Sequence, residues 1–271
     1  MGEPPVPGET IMDAKRRLTL RGSGVILAGL SHPPLLFAAS NHPAFDAEHL
    51  DHALNALGLR MPAGSEAVRI DAPDFSDDGR FVPVRIRSTL EGTRYLALFV
   101  DRNPFPYVAR FGFGDAAVAD VSLRTRIAES STVRAIAGAP SGAAMGVREL
   151  RVTAGGCAGG DGAPDASGMP HPIKIRARMD DAGADLRILA AHPMENGLRK
   201  DAAGRSIPEH FIQHFSVSLN ERVVLDAQFG RSMSADPLLA LRLRGARRGD
   251  RVRVTWEDNR RMTRTDESTI A

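Results

Sequence analysis

The pattern of apolar and polar positions predicts short β-strands along most of the chain. Residues 46–59 are the exception: their apolar residues share one helical face, and Gly58 is placed to end a short helix. Beyond it, apolar and polar residues alternate in short runs that recur at intervals of about 8–14 residues. In one such run Val82, Val84 and Ile86 occupy one side, and polar residues or proline the other.

These runs form two blocks of about seven predicted strands each. The first block comprises residues 67–70, 81–87, 95–100, 107–113, 119–127, 132–137 and 147–153. The second comprises residues 173–179, 186–191, 211–219, 223–227, 238–243, 251–256 and 262–270. Strands at this spacing, with turn residues between them, favour antiparallel sandwiches over alternating strands and helices. The sequence therefore predicts an all-β protein with a short N-terminal helix.

The amino-acid composition indicates where one domain ends and the next begins. Residues 155–172 read GGCAGGDGAPDASGMPHP, half of them glycine or proline, which predicts a flexible linker. We therefore divide the chain into a signal region at 1–40, a first sandwich at 41–154, the linker at 155–172 and a second sandwich at 173–271. Each sandwich has a normal size for an independent core.

The first forty residues resemble an export signal. Arg16 and Arg17 precede a small, apolar stretch at residues 22–30, and small residues suited to cleavage follow at 38–40. Paired arginines of this kind resemble a twin-arginine signal, which would send the protein to a bacterial periplasm. The alternative is a disordered basic tail.

Composition excludes several classes of function. The hydrophobic share of 42% and the charged share of 25% are those of a globular protein. No apolar run of about 18 residues exists, so we expect no membrane span in the mature chain. The net charge is only +2, the arginines are interleaved with acids, and aromatics make up 5%, so we expect no nucleic-acid partner.

The candidate chemistry centres on the single cysteine, Cys157. Its neighbours are small, namely Gly155, Gly156, Ala158, Gly159 and Gly160. No Lys, Arg or His lies within five residues, so no adjacent base would activate the thiol for catalysis. A thiol on a thin, mobile arm is suited instead to entering another protein's active site. The alternative is a chance cysteine in a linker.

Several motifs resemble a known family. VRELRVTAGGC at residues 147–157 resembles the end of SoxY, whose last strand leads into a Gly-Gly-Cys-Gly-Gly arm; DRNPFP at 101–106 and TRIAESS at 125–131 resemble SoxY as well. AHPMENGLRKD at residues 191–201 resembles SoxZ. Over residues 46–271 the chain resembles a SoxY–SoxZ fusion of the kind associated with quinoprotein dehydrogenases.

The resemblance implies two immunoglobulin-like β-sandwiches in a tight complex. It implies a non-catalytic carrier with no bound cofactor, which holds a thiosulfate-type sulfur intermediate covalently on Cys157. The glycines around Cys157, with Ala158, would form a swinging arm. The implied partners are periplasmic sulfur-oxidising enzymes, c-type cytochromes and a quinoprotein dehydrogenase. Two departures affect the arm: it lies inside the chain, and Ala158 replaces a glycine.

The remaining candidates are weaker. His192, Pro193, Met194 and Glu195 follow an apolar strand and form either a structural turn or a docking loop near the arm. His210 and His214 lie four residues apart, but on a strand that spacing corresponds to about 13 Å, too far for one ion. We therefore predict no metal site. We also predict no catalytic residue, because no base accompanies the thiol. Trp256 is expected in the core.

Two functions from different classes stay open at this point. The first is the covalent sulfur carrier. The second is an accessory binding module of a periplasmic quinoprotein dehydrogenase or cytochrome system, with no covalent cargo. An enzyme in its own right is the weakest interpretation, because no base accompanies the thiol.

Overall fold

A computed structural model describes residues 42–157, 171–181 and 183–271. The predicted export signal, with Arg16 and Arg17, lies outside the described residues, as do Ala158, Gly159, Gly160 and the linker as far as residue 170.

The described chain is built almost entirely of strands. It begins with a 3-10 helix at Pro43–Asp46 and one α-helix, α1, at Leu50–Ala56. The strands are β1 Val68–Asp71, β2 Phe75–Asp78, β3 Val82–Ser88, β4 Tyr95–Val100, β5 Tyr107–Phe113, β6 Ala117–Thr125, β7 Ser131–Ala139, β8 Gly142–Ala154, β9 Lys174–Asp180, β10 Gly183–Leu189, β11 Ile212–Leu219, β12 Arg222–Phe229, β13 Leu238–Leu243, β14 Arg251–Asp258 and β15 Thr263–Thr269.

Two sheets contain all of these strands. One has the order β1-β3-β6-β13-β10-β9, and the other has the order β15-β14-β11-β12-β5-β4-β7-β8-β2. The N-terminal half (residues 42–157) and the C-terminal half (residues 171–271) each contribute strands to both sheets. The halves are joined edge to edge, because β6 pairs with β13 and β5 pairs with β12, both antiparallel.

The core follows from strand alternation. In β3, Val82, Val84 and Ile86 are buried and the residues between them are exposed, as the sequence pattern predicts. One apolar cluster contains buried residues of both halves, from Val68 to Ile270. The described residues of both halves accordingly belong to one compact unit with a shared core.

A second, smaller cluster explains why β4 is buried on both faces. The 3-10 helix and α1 place Ala44, Phe45 and Leu54 against the outer face of β4 and β5. Phe45 stacks on Tyr107 with ring centroids 4.1 Å apart. The continuous apolar run in β4 is therefore sandwiched between the core and this helical cover.

The all-β immunoglobulin-like sandwich class is confirmed. The helix is shorter than predicted, because His49 is extended with φ −130° and α1 begins only at Leu50. Gly58 does end it, with φ +64° and its amide bonded to Asn55 O. The sequence pattern missed β2, a half-exposed strand that pairs in parallel with β8. Trp256 is buried in the core, as expected.

No helix in the described part of the chain has the length and hydropathy that crossing a membrane requires.

Because the sheets are shared, we predict that the two halves unfold together. Leu98→Ala, at a fully buried position in β4, should cost about 2–5 kcal/mol. In guanidinium chloride, the substitution should lower the denaturation midpoint measured by the fluorescence of Trp256, which lies in the other half. The midpoint measured by circular dichroism should fall by the same amount. Val147→Ala, at a 48% exposed position, is the control. A Trp256 transition that Leu98→Ala leaves unmoved would show that the halves are independent.

Candidate functional site

The segment that carries Cys157 continues directly from β8. We call residues 155–157 the cysteine segment. Its path is fixed by backbone hydrogen bonds: Gly156 N donates to Ile127 O at 2.9 Å, and Ile127 N donates to Gly79 O at 2.7 Å. Gly79 N in turn donates to Ala154 O at 2.8 Å. The segment therefore lies against the turn after β2 and the end of β6.

The glycines of this segment allow close contact between backbones. A Cβ on Gly155 would lie 2.1 Å from Ala128 O, and a Cβ on Gly156 would lie 2.1 Å from the carbonyl carbon of Gly79. Gly79 is equally confined, since its Cβ would lie 2.2 Å from Ile127 O. The swinging-arm interpretation is thus corrected for Gly155 and Gly156, which are packed into the N-terminal half.

Cys157 itself is buried, with only 6% of the residue exposed. This differs from the exposed thiol that the glycine-rich sequence predicts. The backbone contacts of Gly155 and Gly156 hold the segment against the N-terminal half, and Asn196 of the C-terminal half bonds to Cys157 O.

Asn196 belongs to a loop at residues 192–196, which contains the predicted docking residues. Asn196 donates from Nδ2 to Cys157 O at 2.7 Å. The loop therefore lies beside the cysteine segment. His192, Met194, Glu195 and Asn196 are all buried within the chain in this conformation.

Two histidines lie close together at this loop: His192, which is buried, and His210, which is partly exposed. Asp258 Oδ2 lies 2.8 Å from His210 Nε2 and 3.4 Å from His192 Nε2. Burial lowers the pKa of His192, although the hydrogen bond to Asp258 opposes this shift. Burial alone would raise the pKa of Asp258, but hydrogen bonds from both histidines and from the amides of Met262 and Arg260 hold it at about 2.

These three side chains have the composition of a metal site, since their ligand atoms all lie within 4.8 Å of one another. The hydrogen bonds of His192 disfavour that role. Its Nδ1 accepts from Met194 N at 3.1 Å, so the proton of the neutral ring belongs on Nε2, which faces Asp258. A histidine that binds a metal through Nε2 would instead carry its proton on Nδ1. The cluster is best described as a hydrogen-bonded support for the loop.

The residues that sequence reasoning missed are Asn196, Asp258 and the role of His210. The spacing argument compared His210 with His214, whereas His210 contacts Asp258, 48 residues away. His214 lies in β11, as predicted. One feature of the sequence could have indicated the role of Asn196: it directly follows the His192–Glu195 motif.

The fold and the site define a class of protein: paired immunoglobulin-like sandwiches that enclose a single cysteine at the end of a strand. A family model described as sulfur oxidation protein SoxY matches residues 54–157, and one described as sulphur oxidation protein SoxZ matches residues 173–269. The chain belongs to the SoxY–SoxZ family and is a fusion of both domains.

Two solved structures are similar to parts of this chain. The sulfur carrier protein SoxY from Chlorobium limicola f thiosulfatophilum is 32% identical over 38% of this chain and 96% of its own, with a TM-score of 0.34. A β-glycosidase from Bacteroides vulgatus covers 81% of this chain and 26% of its own at 10% identity and a TM-score of 0.24, which carries no argument. The curated proteins give no match.

We predict that a methyl group at Gly156 displaces the cysteine segment. Gly156→Ala places a Cβ against the Gly79 backbone, so the bonds from Gly156 N and Asn196 Nδ2 should both weaken. Loss of two hydrogen bonds corresponds to roughly a tenfold or larger rise in the rate of Cys157 alkylation by iodoacetamide. Gly64→Ala is the matched control, because nothing lies within 4 Å of its Cβ. A wild-type rate in Gly156→Ala would show that the packing is dispensable.

We also predict that acid destabilises the protein through His192. Its pKa is lowered in the folded state, so the unfolded chain binds the proton more readily. The free energy of unfolding should therefore fall as the pH drops below about 6.5, and Asp258 should add a further loss below about pH 4. His192→Gln should reduce the slope between about pH 6.5 and 5 in denaturant titrations. His49→Gln, at an exposed position, should leave the slope unchanged, and equal slopes in all three proteins would contradict the assignment.

Proposed function

We propose that the protein is a periplasmic carrier that holds a thiosulfate-type sulfur intermediate covalently on Cys157 and presents it to partner enzymes. The observation that carries the proposal is the position of Cys157. It is the only cysteine, it lies three residues after the last strand of the N-terminal half, and it is the last residue of the SoxY match. The related Chlorobium protein is a sulfur carrier protein, which supports the same role.

The loading step would be an oxidative condensation. The Cys157 thiol and thiosulfate form an S–S bond and give Cys157 Sγ–S–SO3⁻, with loss of one proton and two electrons. The electrons would pass to c-type cytochromes, and hydrolytic or oxidising partners would remove the cargo. Sulfur conjugates of this kind exchange by attack at sulfur, so a single thiol is sufficient for both loading and release. We assign no catalytic residue to this chain.

The role requires that Cys157 become accessible. The cysteine segment is held by hydrogen bonds and backbone packing at one end of β8, so it can move without breaking a sheet. Local openings of this kind cost less free energy than global unfolding. Arg16 and Arg17 support the periplasmic location, where the other components of the proposal would be found.

One observation favours the second candidate function, an accessory binding module of a quinoprotein dehydrogenase or cytochrome system without covalent cargo. Cys157 is only 6% exposed, and a cysteine that stays buried needs no cargo to explain it. In that case the sandwiches alone would contact the partner, and replacement of Cys157 would leave the function of the partner system unchanged.

We predict that the purified protein forms a Cys157 adduct with tetrathionate. The thiolate attacks a central sulfur, forms Cys157 Sγ–S–SO3⁻ and releases thiosulfate. Intact mass should therefore increase by one –S–SO3⁻ group in place of hydrogen, and a thiol reductant should reverse the increase. Cys157→Ser should show no increase.

The two candidates differ in a second measurement, cytochrome reduction by thiosulfate in a periplasmic extract. The carrier requires Cys157→Ser to abolish the contribution of the protein. Two results would contradict the carrier hypothesis and favour the accessory binding module. One is an unchanged mass of the wild-type protein after prolonged incubation with tetrathionate, and the other is full function of Cys157→Ser in the extract.

A further inference from the structure

The side chain of Asn196 bridges the two halves of the molecule at Cys157. Its Nδ2 donates to Cys157 O at 2.7 Å, and its Oδ1 accepts from Leu198 N at 3.0 Å. Asn196 is only 4% exposed, so water competes poorly for either bond. The amide therefore has one end fixed in its own loop and the other end on the backbone of the cysteine.

The loop that carries Asn196 is held in place independently of Cys157. Glu195 N donates to His210 O at 2.7 Å, and His210 N donates to Glu195 O at 2.8 Å. His192 N donates to Asp236 Oδ1 at 2.9 Å. Across the joint between the halves, Arg126 donates from an Nη to Met194 O at 2.6 Å. Asn196 Nδ2 is thus held in position by bonds that do not involve the cysteine segment.

The opposite contacts of the cysteine segment come from the N-terminal half. Gly156 N bonds to Ile127 O, and the backbone of Gly156 lies against Gly79. The cysteine segment therefore bonds to both halves, through Gly156 N to the N-terminal half and through Cys157 O to the C-terminal half. Asn196 Nδ2 belongs to a side chain, so this donor can be removed by substitution without changing the backbone.

We infer that Asn196 is a positioning residue that holds Cys157 in its buried conformation and so sets how often the thiol opens to solvent and to partners. This inference rests on the proposed function for its biological meaning, but not for its test. The SoxZ half then regulates access to the cysteine of the SoxY half within one chain.

The experiment compares native-state alkylation of Cys157 by iodoacetamide in wild type and Asn196→Asp. The aspartate keeps an oxygen for Leu198 N but has no N–H to donate to Cys157 O, and its charge repels that carbonyl. Loss of one such hydrogen bond should raise the alkylation rate roughly fivefold or more.

The chain offers a closely matched control in Asn259. Its Oδ1 accepts from Phe211 N at 2.9 Å, and its Nδ2 donates to Glu209 O at 3.2 Å. Asn259→Asp therefore loses the same type of bond at a position that contacts neither Cys157 nor Gly156. It should alkylate at the wild-type rate, even if its melting temperature falls as far as that of Asn196→Asp.

An alkylation rate in Asn196→Asp equal to wild type would overturn the inference, as would an equal increase in Asn259→Asp. If Asn196→Asp fails to fold, Asn196→Ala replaces it, with hydrogen exchange of the Gly156 amide as the readout. Faster exchange at Gly156 but not at Phe211 supports the role of Asn196, and unchanged exchange at Gly156 contradicts it.

Failure of this inference is distinguishable from failure of the carrier. If Asn196→Asp opens Cys157 and the open thiol still forms no adduct with tetrathionate, the positioning role stands and the carrier does not. If wild type forms the adduct and Asn196→Asp changes no rate, the carrier stands and Asn196 has no positioning role.

Discussion

The structure depends on two strand pairs that cross the molecule, β6 with β13 and β5 with β12. They turn two small sandwiches into two continuous sheets with one apolar core. Buried polar contacts follow the same joint: Thr125 Oγ1 donates to Ser232 O at 2.8 Å, and Ser232 Oγ donates to Phe105 O at 2.7 Å. Across this joint, the 192–196 loop of one half lies beside the cysteine segment of the other.

Glycine has a different role here from the one that its frequency suggests. In a linker it is associated with freedom of the backbone, and residues 155–172 as a whole have that composition. At Gly79, Gly155 and Gly156 the structure uses the absence of a side chain instead, since each hypothetical Cβ would lie within 2.2 Å of a backbone atom. Glycine therefore allows the first two residues of the cysteine segment, Gly155 and Gly156, to pack against the backbone of the N-terminal half.

The sequence was sufficient for the fold class and for most strands, because a sandwich strand shows its burial as alternation. It was insufficient where that signal is absent or where contacts are distant. The residues of β2 are only half-buried or exposed, so no alternation marks them. The joint pairs Val121 with Leu241, which are too far apart in sequence for local patterns. The burial of Cys157 depends on Gly79, Ala128 and Asn196, and none of these is near it in sequence.

A buried thiol and a carrier role are compatible if the closed conformation is a resting state. Oxidation of a cysteine follows its exposure, so a thiol that is closed most of the time is protected from small oxidants. A partner can open it only if it binds the open form more tightly than the closed form, and each 1.4 kcal/mol of that preference shifts the populations about tenfold. Small oxidants make no such contacts with the segment. The hydrogen bonds from Asn196 and Gly156 would thus make Cys157 selective for a protein that recognises the opened segment.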